Sequence, residues 1–366
     1  MNWPELSLLA LLLAAPAALG DPSPDGWRRV LPGIELEFPA DHGVHPEHRT
    51  EWWYLTGNVE DADGHRFGFQ FTVFRNGLGD NPPLPGDDSP RPRQVYAGHL
   101  AVTDVDAGRT RFAERLRRGG TPLAGAAAGD LDVWIEDWSL RREPSGRLLV
   151  SAGDPAAGIG LELELVPRKS LVLHGEDGYS SKGGGEGNAS AYFSWTRLAV
   201  EGRLTVPGGV RPVTGEAWFD HEFGSSVLAG GVEGWDWFGL QLEDGRELML
   251  FVLRGADGRA AAASAGTLVG RDGRARPLRR ADFAVEVLAR WTSPRTGASY
   301  PARWVLSLPG EDLRLEVAPL VADAELATGG STNVVYWEGP VAVSGGARGR
   351  GYAELTGYAG SMEGRF

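Results

Sequence analysis

Two short stretches of this 366-residue chain combine acids, imidazoles and aromatics densely enough to suggest chemistry. The first is Asp41-His42-Gly43-Val44-His45-Pro46-Glu47-His48, which leads into Glu51-Trp52-Trp53-Tyr54-Leu55-Thr56-Gly57. Three histidines at intervals of three invite a metal. Pro46 forbids a helix, however, and an extended segment does not converge three imidazoles on one ion, so no metal is expected. His42 and His45 then either bond to loop backbone or line a cavity mouth. In a strand starting at Glu51, alternation sends Glu51 and Trp53 to one face and Trp52 and Tyr54 to the other. A Glu51 buried beside an indole would have its pKa raised by desolvation and could act as a general acid. A Glu51 paired with an arginine such as Arg75 would only close a barrel. Both readings stand.

The second stretch is Gly215-Glu216-Ala217-Trp218-Phe219-Asp220-His221-Glu222-Phe223-Gly224. Here Trp218, Asp220 and Glu222 share one face of a strand, and Phe219, His221 and Phe223 share the other. A row of acids on a tryptophan-bearing strand is unusual for a plain barrel wall. Two further segments repeat the pairing of aromatics with carboxylates. Trp235-Asp236-Trp237-Phe238-Gly239 puts both indoles on one face. Tyr336-Trp337-Glu338-Gly339 is followed by a strand whose Tyr352, Glu354, Thr356 and Tyr358 line up. Any one of these aromatics could be ordinary core; the whole set points to a pocket.

Much is excluded. There is no Gly-x-Ser-x-Gly elbow, no His-Glu-x-x-His helix, no dinucleotide fingerprint and no P-loop, so no cofactor is expected. The chain has no cysteine, which removes thiolate nucleophiles, disulfides and Cys-bound metals. With 36 Lys plus Arg against 49 Asp plus Glu, the net charge is −13, which disfavours a nucleic-acid partner. Leu8 to Ala18 is apolar and ends in Ala18-Leu19-Gly20, so residues 1–20 read as a secretory signal and the mature chain as periplasmic or secreted.

The elements that must hold these residues are strands. Phe67 to Val73 alternates strictly, and similar runs recur at Tyr96 to Val102, Leu131 to Leu140, Gly160 to Val166, Tyr192 to Thr205, Trp235 to Leu242, Glu247 to Leu253, Val335 to Val343 and Arg350 to Tyr358. Asp-Gly pairs at 63–64, 244–245, 257–258 and 272–273 mark hairpins. The 53 glycines and 24 prolines carry no fixed period, as expected of many short strands joined by turns. The chain therefore reads as all-β, as two antiparallel barrels in tandem over residues 35–226 and 227–366.

The Glu51–Gly57 segment, the Gly215–Glu222 segment, Trp235–Phe238, Tyr336–Gly339 and the closing Gly349–Tyr358 resemble the AttH-like family, which includes the acyclic carotenoid 1,2-hydratases. The motifs occur in order over residues 35–366. This resemblance implies two lipocalin-like barrels and addition of water to an isoprenoid double bond without metal or nucleotide. It also implies a reactive centre at Asp220 and His221. Phe223 stands where the hydratases tend to carry Trp, and the apolar Leu248–Val252 stands where they carry Tyr and Asp. Those departures resemble the exported branch labelled predicted secreted hydrolase. The sequence thus assigns Asp220, His221 and Glu51 to catalysis. It assigns Trp53, Tyr54, Trp218, Trp235, Trp237, Tyr336, Tyr352, Glu354 and His42 to contact with a hydrophobic isoprenoid or lipid. A non-catalytic carrier serving an envelope transport complex would use the same cavity.

Overall fold

The computed structural model describes residues 26–362 except 80–81, 83–92, 186, 226–227 and 229. The expected signal segment and nearly all of the proline-rich stretch after Asn81 lie outside the described residues. The described chain is all-β, in two barrel-like antiparallel sheets in tandem. From edge to edge the first sheet runs Arg109–Arg118, Gln94–Asp104, Arg66–Gly77, Thr50–Asp61, Gly209–Gly224, Ala189–Val206, Ile159–Pro167, Leu148–Asp154, Trp138–Arg142, Asp132–Ile135 and Ala124–Ala126. The second runs Ala275–Arg279, Ala265–Val269, Glu247–Gly255, Val232–Leu242, Gly349–Leu355, Val335–Gly345, Leu313–Pro319, Ser299–Leu308 and Ala284–Thr292.

Most expected strands are present, with two differences. Leu131 to Leu140 is a hairpin and not one strand: Ile135 pairs with Trp138, and the chain reverses at Glu136, whose φ is +59°. Glycine usually takes that conformation, so the sequence carried no turn signal there. The last strand stops at Leu355, and Gly357 at φ +77° turns the chain. Tyr358 is thereby taken out of line with Tyr352 and Glu354. Its hydroxyl donates to Asp236 at 3.0 Å, and the Arg254 guanidinium lies over its ring.

Each sheet curls around a solid core. In the first, Trp53, Leu55, Phe69, Phe71, Trp138, Leu163 and Phe219 pack together. In the second, Phe238, Leu250, Tyr300, Trp304, Leu315 and Trp337 do so. Complete burial of such side chains contributes about 2–3 kcal/mol each. These side chains occupy the barrel interiors, and the cavity walled by acids and indoles lies elsewhere.

It lies between the two sheets, whose outer faces dock on one another. Gly68 permits the approach, because a Cβ there would stand 2.5 Å from the Tyr352 hydroxyl and 2.8 Å from the Pro340 ring. Asn58 Nδ2 donates to the Gly351 carbonyl at 3.0 Å, and Gln241 Nε2 donates to the carbonyls of Thr196 and Ala217 at 2.9 and 2.8 Å. A charged clamp closes the edge. Glu247 of the second sheet is fully buried and receives Arg197 Nε at 2.6 Å and Lys169 Nζ at 2.7 Å from the first. Removing the carboxylate leaves Lys169 with carbonyl oxygens alone and Arg197 with Glu216 as its remaining counter-ion. Glu247→Ala should therefore cost about 3 kcal/mol, read as a lowered urea midpoint; an unchanged midpoint would show that the clamp holds nothing.

Candidate functional site

The docked faces enclose a cavity of about 160 Å³. Its first wall is a ladder of side chains in register across the first sheet. Ser194, Asp220, Tyr54, Thr72 and His99 form one row, and Tyr192, Glu222, Trp52 and Phe74 form the next. The opposite wall carries the row Phe251, Trp237, Glu354 and Glu338, flanked by Trp235 and Tyr336. Three hydrogen bonds tie the walls together: Tyr54 Oη donates to Glu338 Oε1 at 2.6 Å, Trp237 Nε1 donates to Tyr192 Oη at 3.2 Å, and His99 Nδ1 meets Tyr336 Oη at 2.9 Å. Burial holds His99 neutral, with its pKa pushed down to about 3.

Asp220 is the best-held acid. Trp218 Nε1 donates to Oδ1 at 2.6 Å, Tyr192 Oη to Oδ2 at 2.8 Å, and the Ser194 hydroxyl also bonds Oδ1. Ser194 Oγ in turn lies 2.6 Å from His174 Nε2, whose Nδ1 meets Thr267 Oγ1 at 2.8 Å. Burial outweighs these donors and pushes Asp220 up to about 7. On the facing wall Glu338 and Glu354 stand directly opposite each other on adjacent strands. Burial raises both, and the neighbouring Glu354 charge raises Glu338 further. The cavity therefore presents acids that hold protons near neutrality on two sides of an apolar space.

Of the residues that the sequence singled out, Asp220, Tyr54, Trp235, Trp237, Tyr336 and Glu354 line this cavity. Trp218 and Tyr352 stand just behind its wall, Trp218 edge-on to Trp237 at 6.0 Å. Four do not belong to it. Glu51, His221, Trp53 and His42 lie on the opposite face of the first sheet, because neighbours on a strand point opposite ways. Trp53 is core, with its ring 4.9 Å from His221, and His42 packs on Trp195 at 4.7 Å. His221 thus cannot reach water held beside Asp220. Glu51 is the arginine-paired carboxylate: Arg75 Nε donates to Oε2 at 2.9 Å, while His45 Nδ1 and His221 Nε2 approach Oε1 at 2.8 and 2.9 Å. Burial opposes its charge, but Arg75 and the two imidazoles win and hold it well below the usual range. It is no proton donor.

His45, Glu51 and His221 lie close enough to share a cation. Arg75 already supplies that positive charge, and His45 Nε2 faces Asp41 at 3.0 Å. Both His45 nitrogens thus meet carboxylates, so the imidazole is a cation in its own right and the cluster closes as an ion-pair network.

A cavity between two docked β-barrels, walled by acids and indoles, can now be set beside known proteins. The AttH-like family model matches residues 29–358. The chain belongs to the AttH-like family. A crystal structure described as an AttH from Nitrosomonas europaea is 37% identical, with TM-score 0.82, covering 90% of this chain and 99% of that one. Kievitone hydratase from Nectria haematococca is 14% identical at TM-score 0.68, covering 93% and 98%, a likeness of fold. No curated protein matches.

Within this AttH-like fold, several cavity groups escaped the sequence reading. Tyr192 and Ser194 carry a usable signal, since Ser190, Tyr192 and Ser194 alternate with Ala191, Phe193 and Trp195 on one strand. His174 has none, standing just after the two-residue strand Val172–Leu173, too short to show periodicity. The opposite-face network gives a test. Burial works against the His45 charge, but bonds to Asp41 and Glu51 raise its pKa from 6.5 to about 9. Its stabilisation is full below pH 6.5 and lost as pH rises through about 9. His45→Gln should therefore destabilise by about 3 kcal/mol near pH 6 and much less above pH 9.5. Denaturation curves across that range would decide, and a gap independent of pH would refute the imidazolium.

Proposed function

We propose that this chain is an exported hydratase-like enzyme that adds water to a carbon–carbon double bond of a lipophilic molecule in the interdomain cavity. The observation that carries the reading is Asp220: a fully buried carboxyl that faces an aromatic cavity and holds its proton up to about pH 7. In the first step the Asp220 O–H bond breaks and the alkene π pair takes the proton, forming a C–H bond. The carboxylate left behind is stabilised by the donors Tyr192, Trp218 and Ser194. The tertiary carbocation rests against the indoles of Trp52, Trp235 and Trp237 and the phenols of Tyr54 and Tyr336. Water adds to the cation through an oxygen lone pair, its O–H bond breaks, and the proton passes to the Asp220 carboxylate, which restores the donor. Support from relatives is at the level of family and fold: the chain is AttH-like, and a hydratase shares its architecture. The cavity is close in size to one of about 150 Å³ that holds a benzene. The reacting end of the substrate is therefore one isoprene unit or a ring, with any longer chain leading out.

Incubation of the purified protein with acyclic isoprenoids in ¹⁸O-water should yield a tertiary alcohol carrying the label, detected by mass spectrometry. Asp220→Asn should abolish turnover while retaining ligand binding by tryptophan quenching. The wild-type rate should fall as pH rises through about 7, because the donor must be protonated. A lipophile recovered bound and unlabelled, with Asp220→Asn indistinguishable from wild type, would make the protein a carrier.

A further inference from the structure

The ionisable groups that line the cavity are unequally divided, four carboxyls against one ammonium, that of Lys182. The Tyr54, Tyr192 and Tyr336 hydroxyls and the Trp237 N–H are all engaged by protein partners. Four carboxyls, from Asp220, Glu222, Glu338 and Glu354, open on the same space, and three of them meet only neutral donors: Tyr192, Trp218 and Ser194 at Asp220, Tyr54 at Glu338 and Trp235 at Glu354. Gln70 adds an independent sign. Its side chain is 1% exposed and lines the cavity, its Nε2 donates to Thr72, and its Oε1 has no partner. A buried amide oxygen without a donor is costly and asks for one from a ligand.

The cavity also shows how it holds a positive charge. Lys182 extends into it with Nζ 4.4 Å from the Phe251 ring centre, 5.1 Å from that of Tyr192 and 2.7 Å from Glu222 Oε1. This is an ammonium on aromatic faces beside a carboxylate, the arrangement by which proteins recognise organic cations. Lys182 gives a positive partner to one of the four acids, Glu222. Trp52, Trp235 and Trp237 offer further π faces to a second cation.

We propose that the cavity selects lipophilic molecules whose polar end is a hydrogen-bond-donating cation, an organic ammonium, seated among the Glu338–Glu354 pair, the indoles and Gln70 Oε1. The inference rests on the cavity being the ligand site, as in the proposed function, but not on turnover. A cation-complementary pocket also favours the carbocation of the proposed step, so one feature serves binding and chemistry.

The probes are octylammonium, octanol and octanoate, matched in chain and differing in head charge, titrated by calorimetry into the full-length protein. The expected order is ammonium tightest, exceeding the alcohol by about tenfold, with the carboxylate weakest. Glu338→Gln combined with Glu354→Gln keeps the shape and removes the ionisable pair that would pass a proton's worth of negative charge to the ammonium. That variant should bind the alcohol within about twofold of wild type and lose the ammonium preference. Lys182→Met, which removes the resident cation, should tighten octylammonium binding. Octanoate binding as tightly as octylammonium to the wild type would overturn the proposal whether or not any variant folds. An ammonium preference that survives in the double Gln variant would overturn it too. None of the three probes has a carbon–carbon double bond, so their binding is judged apart from hydration: a protein that takes octylammonium but labels no alkene refutes the hydratase reading alone.

Discussion

The structure depends on two strand segments, residues 50–59 and 217–224, that are buried on both faces. A sheet with one wet side can discard half of its residues to solvent; these strands cannot. Every second residue enters the barrel core and every other one enters the interdomain space, so chain neighbours live in unrelated surroundings. Asp220 and His221 are adjacent in sequence and separated by the thickness of a sheet. The one is held by Tyr192, Trp218 and Ser194, the other by Glu51. Two buried charge systems therefore sit back to back without interfering. One contains compensated ion pairs, and the other a set of acids kept near neutrality.

Burial acts with opposite results on the two faces. Glu51 is as buried as any group in the protein, yet it stays ionised because Arg75 and two imidazoles surround it. Asp220 has three neutral donors, which do not compensate full desolvation. The difference is a formal positive charge within hydrogen-bonding distance, and it decides which carboxylate can give up a proton. An account built on burial alone would have chosen the wrong acid.

Much of this was legible beforehand. Strict alternation at Phe67–Val73 and the Asp-Gly turns identify strands and hairpins, and the motif order identifies the family. Alternation also placed Asp220 and Glu222 on one face with Trp218. The sequence could not say which face looked inward, since both do, and so Glu51, His221, Trp53 and His42 were grouped with a cavity that they do not touch. The cavity's own position was hidden for the same reason. It is made by the docking of two sheets, and contacts such as Tyr54 with Glu338 join residues 284 positions apart. No local pattern encodes that distance. His174 and Lys182, which stand outside any periodic run, could be found only in three dimensions.

Because Asp220 comes from one barrel and the Glu338–Glu354 pair from the other, the spacing between the two sets of acids is a property of how the halves are seated. Gly68 and the Glu247 clamp set that seating. A substitution at either, itself outside the cavity lining, can tilt one half against the other and so reshape the chamber with its inventory of side chains intact. Relatives of this architecture can thus acquire new ligands through their joint, with each barrel and each wall left as it was.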